Sequence, residues 1–141
     1  MINTLDSLLT YENIYLFANW GVIPFWLLLI FMPNHKITNF FSHSIVAPLL
    51  LAVAYIFVTQ QIILEDNIFE GFKLYLGLDG LDEIYSNESI RLIFWLHFLA
   101  VSLFVGAWIA RDSERNFVPK ALSAPCILLA YFTGPFGIVI Y

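Results

Sequence analysis

Apolar residues along this chain gather into four long blocks separated by short polar connections. Ile14 to Met32 carries no charge and closes at Pro33-Asn34-His35-Lys36. Phe40 to Leu64 ends at Glu65-Asp66, Arg91 to Ala110 ends at Arg111-Asp112, and Ala121 to Tyr141 forms the last block. A bilayer-spanning helix needs about 20 predominantly apolar residues. The pattern therefore predicts an all-α integral membrane bundle of four transmembrane helices, one domain over 1–141, with spans near 14–32, 40–64, 91–110 and 121–141. Residues 67–90 read as an acidic outer loop. Its apolar patch (Phe72, Leu74, Tyr75, Leu76, Leu78) is broken by Lys73, Gly77 and Gly80, so an interfacial segment is expected there.

Composition sharpens this picture. Of 141 residues, 60% are hydrophobic and 12% charged, with mean hydropathy +0.81. A soluble domain carries roughly 45–50% apolar and about 25% charged residues, so a water-soluble fold is excluded. Aromatics at 18% exclude disorder. The net charge of −5 resides in the connections and argues against a nucleic-acid partner. A single cysteine, Cys126, leaves no intramolecular disulfide and no cysteine pair for zinc. Residues 1–13 hold no basic residue and two acids, Asp6 and Glu12, which fits a retained first helix rather than a cleaved signal peptide. Lys36, Arg111, Arg115 and Lys120 lie in the first–second and third–fourth connections, whereas the opposite side holds Lys73 and Arg91 against nine acids. The positive-inside rule then places both short connections in the cytoplasm and both termini outside.

Within the spans, Pro24, Pro48, Pro125 and Pro135 each remove one backbone bond and free a carbonyl. Bent helices are expected, with Gly134-Pro135-Phe136-Gly137 the strongest case for a bend that opens a cavity. Ser102, Gly106 and Ala110 recur every fourth residue, the spacing of a close helix-packing face.

Polar groups inside lipid need partners or a task. At 1.5 Å per residue, Asn19 and His97 both lie roughly 7–9 Å below the outer surface. Thr59 and Gln60 fall at similar depth, and Tyr131 and Thr133 somewhat deeper, so every span offers a polar group in its outer half. Ser42, His43 and Ser44 lie near the inner surface. Matched depth predicts a site shared by Asn19 and His97. A membrane histidine serves either as a hydrogen-bonding bridge or as a proton carrier, and the residues fit both. Phe104 and Trp108 follow His97 on one helical face; such a stripe is a packing surface or the wall of a site for a long apolar polyene. Three histidines are too few for a membrane di-iron site, and His43 and His97 sit at different depths, unlike a bis-histidine haem. No glycine-rich phosphate loop is present, and no acid lies level with His97 to make a triad. A site without metal or cofactor is expected.

These residues resemble a family. Asn19-Trp20-Gly21-Val22-Ile23-Pro24-Phe25-Trp26 followed by Pro33 looks like its first-span pattern. Trp95-Leu96-His97-Phe98-Leu99-Ala100, with Leu103-Phe104-Val105-Gly106-Ala107-Trp108-Ile109 and Asp112, resembles its third span. Pro125-Cys126-Ile127-Leu128-Leu129 and Gly134-Pro135-Phe136-Gly137-Ile138 resemble its fourth. The chain is similar to the abscisic-acid-deficient-type family of small four-helix membrane proteins, named for the plant neoxanthin synthase. The family pattern carries an acid where this chain has Ser102 and a basic residue at the position of Ala107. The resemblance implies carotenoid chemistry, and the lack of a transit-peptide pattern suggests a bacterial inner-membrane member.

The resulting expectation is a carotenoid- or polyene-binding membrane protein acting as a cofactor-free isomerase or rearrangement enzyme. His97 would be the proton donor or relay and Asn19 its orienting partner. Trp95, Phe104, Trp108, Tyr55 and Thr133 would bind substrate, and Arg111 with Asp112 would anchor the helix at the interface. The alternative is a non-catalytic pigment-binding or assembly partner of another membrane protein. Lipid, a carotenoid, and a second copy or a membrane-protein partner are the expected contacts.

Overall fold

The computed structural model describes residues 10–33, 35–41, 46–64, 75 and 77–141. The elements among them are helices: α1 (Tyr11–Phe31), α2 (Lys36–Phe41), α3 (Val46–Leu64), α4 (Leu78–Tyr85), α5 (Glu88–Arg115), α6 (Lys120–Thr133) and α7 (Pro135–Ile140). In lipid a backbone must satisfy its own polar groups, and the helix does so within one segment. Three of these helices, α1, α3 and α5, are long and apolar enough to cross a membrane. Ser42, His43, Ser44 and most of the 67–76 stretch, with the interfacial segment expected there, fall outside the described residues.

The ends are finished by side chains. Thr10 caps α1 by accepting from the Asn13 amide at 3.3 Å, and Asn87 caps α5 by accepting from the Ser89 amide at 3.0 Å. Such caps satisfy amides that have no partner within the helix. At the other end of α1, buried Thr38 of α2 donates its hydroxyl to the Met32 carbonyl at 2.6 Å.

Helix α5 is the axis of the fold. Half of its apolar window (50%) is buried, against 28% for α1 and 22% for α3. α1, α3, α4, α6 and α7 all pack on it. The small-residue face expected on α5 is buried as read. Gly106 lies under the Trp26 indole of α1: a Cβ on Gly106 would sit 2.5 Å from Trp26 Cζ3 and 2.7 Å from Cη2. Ser102 faces Gly134, and Ala110 is fully enclosed.

The last apolar block departs from the four-span expectation. α6 has 14 residues, about 21 Å of helix, short of a hydrocarbon core of about 30 Å. At Gly134, with φ 61°, the chain reverses. In a continuous helix residues 126 and 137 would lie about 16 Å apart. Instead a Cβ on Gly137 would stand 2.6 Å from the Cys126 carbonyl oxygen and 2.7 Å from Ala130. α7 therefore folds back along α6. Tyr141 reaches Asp112, donating its hydroxyl to Oδ2 at 2.9 Å, and its ring meets Trp108 edge-on at 5.9 Å. The block is a helical hairpin, with three full-length helices beside it. Tyr11 shares a pocket with Glu88 at the start of α5, and Tyr141 is bonded to Asp112 near its end, so these residues lie at opposite ends of α5 rather than at one end, the arrangement expected for both termini.

The prolines also act differently from one another. Pro24 and Pro125 stand inside α1 and α6. Pro48 lies in the first turn of α3, and Pro135 opens α7. First-turn amides have no intrahelical acceptor, so proline there removes nothing.

Candidate functional site

Residues expected to form one site divide between two faces of the bundle. On α1, Asn19 turns to α5, where its Oδ1 accepts the Trp95 indole N–H at 2.7 Å. Trp95 is stacked on Phe98 at 5.6 Å and touches Tyr15 at 6.1 Å. Each polar end of this amide–indole pair removes the other's need for water. His97 is two residues from Trp95, a rotation of about 200° on the helix. It is exposed and lies beside Tyr55 of α3, ring centroids 6.3 Å apart. The shared Asn19–His97 site is therefore corrected: equal depth did not mean equal direction.

The aromatic stripe does exist as a surface. Phe104 (50% exposed) and Trp108 (40% exposed) point outward with His97, and Val101 lies between them. From His97 to Trp108 the face runs about 16 Å along the helix. Tyr55 borders it on the α3 side, and Tyr141 of the returning hairpin borders it at Trp108. This face is open to the surroundings of the bundle and not enclosed by it. Trp95 and Thr133 do not join it. Trp95 faces α1, and Thr133, near the hairpin tip, donates to the Leu129 carbonyl of its own helix at 2.7 Å. Thr59 likewise donates to the Tyr55 carbonyl at 2.8 Å.

A second open surface lies between α1 and α3, which both pack on α5 and meet each other less extensively. It forms an apolar groove of about 500 Å³ whose walls include Phe17, Gly21, Phe25, Leu50, Leu51 and Ala54. No titratable group lines it, so it can hold an apolar chain but cannot exchange a proton with one.

Inside the bundle, two polar atoms among the described residues are buried without a hydrogen-bond partner: Trp26 Nε1 and Ser102 Oγ. Ser102 Oγ lies 3.2 Å from where a Cβ of Gly134 would stand. The position at which the family pattern carries an acid thus faces the turn of the hairpin. Asp112 accepts from Tyr141 and from Asn116 Nδ2 at 3.0 Å, so it holds the hairpin and closes α5 besides any anchoring role. Among the described residues, no three His, Cys, Asp or Glu side chains cluster as metal ligands.

Sequence reasoning missed the hairpin contacts of Gly137 and Tyr141 and the Trp26–Gly106 seat. The Gly-Pro-x-Gly run was the available signal for the first; nothing in the sequence paired Trp26 with Gly106.

Comparison with known proteins agrees with the resemblance carried by these motifs. The family model described as ABA DEFICIENT 4-like matches residues 13–141. Protein ABA DEFICIENT 4, chloroplastic, of Arabidopsis thaliana is 25% identical over 131 residues, covering 91% of this chain and 58% of that protein. The chain thus spans little more than half the length of this relative. No solved structure matches it. With nearly its whole length matched, the chain belongs to the ABA DEFICIENT 4-like family.

Proposed function

We propose that this protein binds a carotenoid or related polyene within the membrane and catalyses its cis–trans isomerisation or rearrangement without a cofactor. Family membership supports the carotenoid class. The observation that carries the site is His97, exposed at the head of the Phe104–Trp108 face and beside Tyr55. A polyene dissolved in the bilayer reaches such a face by lateral diffusion, so no gate is required. Aromatic rings suit a flat conjugated chain, as apolar walls with one placed polar group suit apolar ligands generally. His97 can give a proton to the polyene or to an oxygen on it. The delocalised cation so formed has reduced double-bond character, rotates or rearranges, and returns the proton. Asn19 acts at a distance from this step, by holding Trp95. The basic connections would face the cytoplasm.

Expression in a carotenoid-producing host, with isomer-resolved pigment analysis, tests the reading. The native chain should change the isomer or product profile, and His97→Ala and His97→Gln should both abolish that change while the protein still inserts. Full activity in His97→Gln would remove the acid–base role, because an amide donates and accepts but does not titrate. A second reading rests on the same exposure: an uncovered imidazole at membrane depth also suits a helix of a protein partner. Co-purified pigment with an unchanged profile would favour that partner role.

A further inference from the structure

The outer end of the bundle, defined by the starts of α1 and α5, carries a pocket of about 460 Å³ that the proposed polyene face does not use. Glu12 and Tyr15 enter it from α1, Tyr85 from the end of α4, and Glu88, Arg91 and Trp95 from α5. The spacing explains the convergence. Glu12 and Tyr15 are three residues apart, and Glu88, Arg91 and Trp95 are separated by three and four, so each set shares one helical face. Trp95 is fixed by its 2.7 Å bond to Asn19, and Tyr15 leans on it at 6.1 Å with a 41° tilt. Tyr85 is stacked on Phe94 at 4.9 Å. Tyr15, Tyr85 and Trp95 are each more than a third exposed, so the rings are held in place yet uncovered. Glu12, Glu88 and Arg91 are the last charges before the apolar windows of α1 and α5, which puts the pocket at the level of lipid headgroups.

Aromatic rings from three elements around one space, with two carboxylates at its edge, suit a cation that is itself partly apolar. Ring quadrupoles and carboxylates both attract an alkylammonium, and aromatic cages are a recurrent way to bind one. Arg91 adds a group of opposite preference, a guanidinium suited to a phosphate. Single interfacial Trp and Tyr residues are ordinary membrane anchors, but anchors need neither convergent rings nor charges of both signs around one cavity.

We propose that this pocket binds the headgroup of a zwitterionic phospholipid, the ammonium against the rings and the Glu12 and Glu88 carboxylates, the phosphate against Arg91. The assignment is independent of the polyene reading.

The test is native mass spectrometry of the full chain in detergent with dioctanoyl phosphocholine, phosphoethanolamine and phosphoglycerol lipids and with soluble phosphocholine. Both zwitterionic lipids should be retained, with the phosphoglycerol lipid weaker by about tenfold and soluble phosphocholine weaker still for want of acyl contacts. Glu12→Gln/Glu88→Gln should weaken the zwitterionic lipids about five- to tenfold while leaving phosphoglycerol unchanged or stronger. Arg91→Gln should weaken all phosphate-bearing ligands. Tyr85→Leu, outside the long helices, serves where a span variant fails to fold and should lower zwitterion retention while the protein stays folded. Equal retention of phosphoglycerol and phosphocholine lipids, or unchanged retention in the Gln pair and in Tyr85→Leu, overturns the proposal. Soluble phosphocholine binding as tightly as the lipid would reassign the pocket to a soluble ammonium compound.

Discussion

The seat of Trp26 on Gly106 offers a quantitative check of the packing. Replacing Gly106 with Ala puts a Cβ 2.5 Å from Trp26 Cζ3, about an ångström inside ordinary contact. The indole is 4% exposed and meets Tyr131 edge-on at 5.2 Å, so it has little room to retreat. Overpacking of this kind costs about 1–3 kcal/mol. Alanine offsets about 1 kcal/mol of that through its better helix propensity. The net expectation is a destabilisation of up to about 2 kcal/mol for Gly106→Ala, and a larger one for Gly106→Leu, which must part the helices. A double-mutant cycle isolates the contact. Trp26→Ala alone leaves a void and destabilises. In the double variant Gly106→Leu/Trp26→Ala the new side chain fills the space the indole vacated, so the two losses should not add. The coupling should exceed about 1 kcal/mol, beyond the roughly 0.3–0.5 kcal/mol scatter of independent sites. Equilibrium unfolding in detergent, followed by helical circular dichroism, measures it. Additive losses within that scatter would mean that α1 and α5 do not meet at this point, and the packing argument fails.

Three further expectations concern the hairpin. Gly137→Ala directs a Cβ into the Cys126 carbonyl and Ala130, backbone and Cβ atoms that cannot swing aside, so it should destabilise more than Gly106→Ala and raise protease cleavage within 120–141. Reporters placed after Tyr141 and in the 116–119 connection should read the same side of the membrane, and one before Thr10 the other; opposite readings for the first two would restore a full fourth crossing. Tyr141→Phe keeps the ring contact with Trp108 but removes the hydroxyl bond to Asp112. It should cost about 1.5–3 kcal/mol, as for hydrogen bonds to charged groups, and an unchanged melting temperature would show that water replaces the phenol at no loss.

What the sequence determined by itself was the material of the fold. Blocks of apolar residues have one economical conformation in lipid, because only a helix satisfies its own backbone there, and α1, α3 and α5 fall where the blocks lie. Relative depth was legible too, since rise per residue is constant: Asn19 meets Trp95, two residues from His97, and His97 lies beside Tyr55, one turn from Thr59. The small residues Ser102, Gly106 and Ala110 marked a buried face, because close approach needs small side chains whatever the partner. Apart from that face, direction around the helices was not legible. Where small residues do not mark a packing face, lipid-facing and helix-facing positions are equally apolar, so hydrophobicity does not distinguish inside from outside. That is why Asn19 found Trp95 while His97 turned outward to Tyr55. The last block failed for a related reason. A block of 21 predominantly apolar residues reads much the same whether it crosses or doubles back, and the Gly134-Pro135-Phe136-Gly137 run marks a break without saying how far the chain turns. The outcome depends on a tertiary fit: Gly137 lying against Cys126 and Ala130, and Tyr141 bonded to Asp112, contacts that exist only after the chain has turned at Gly134.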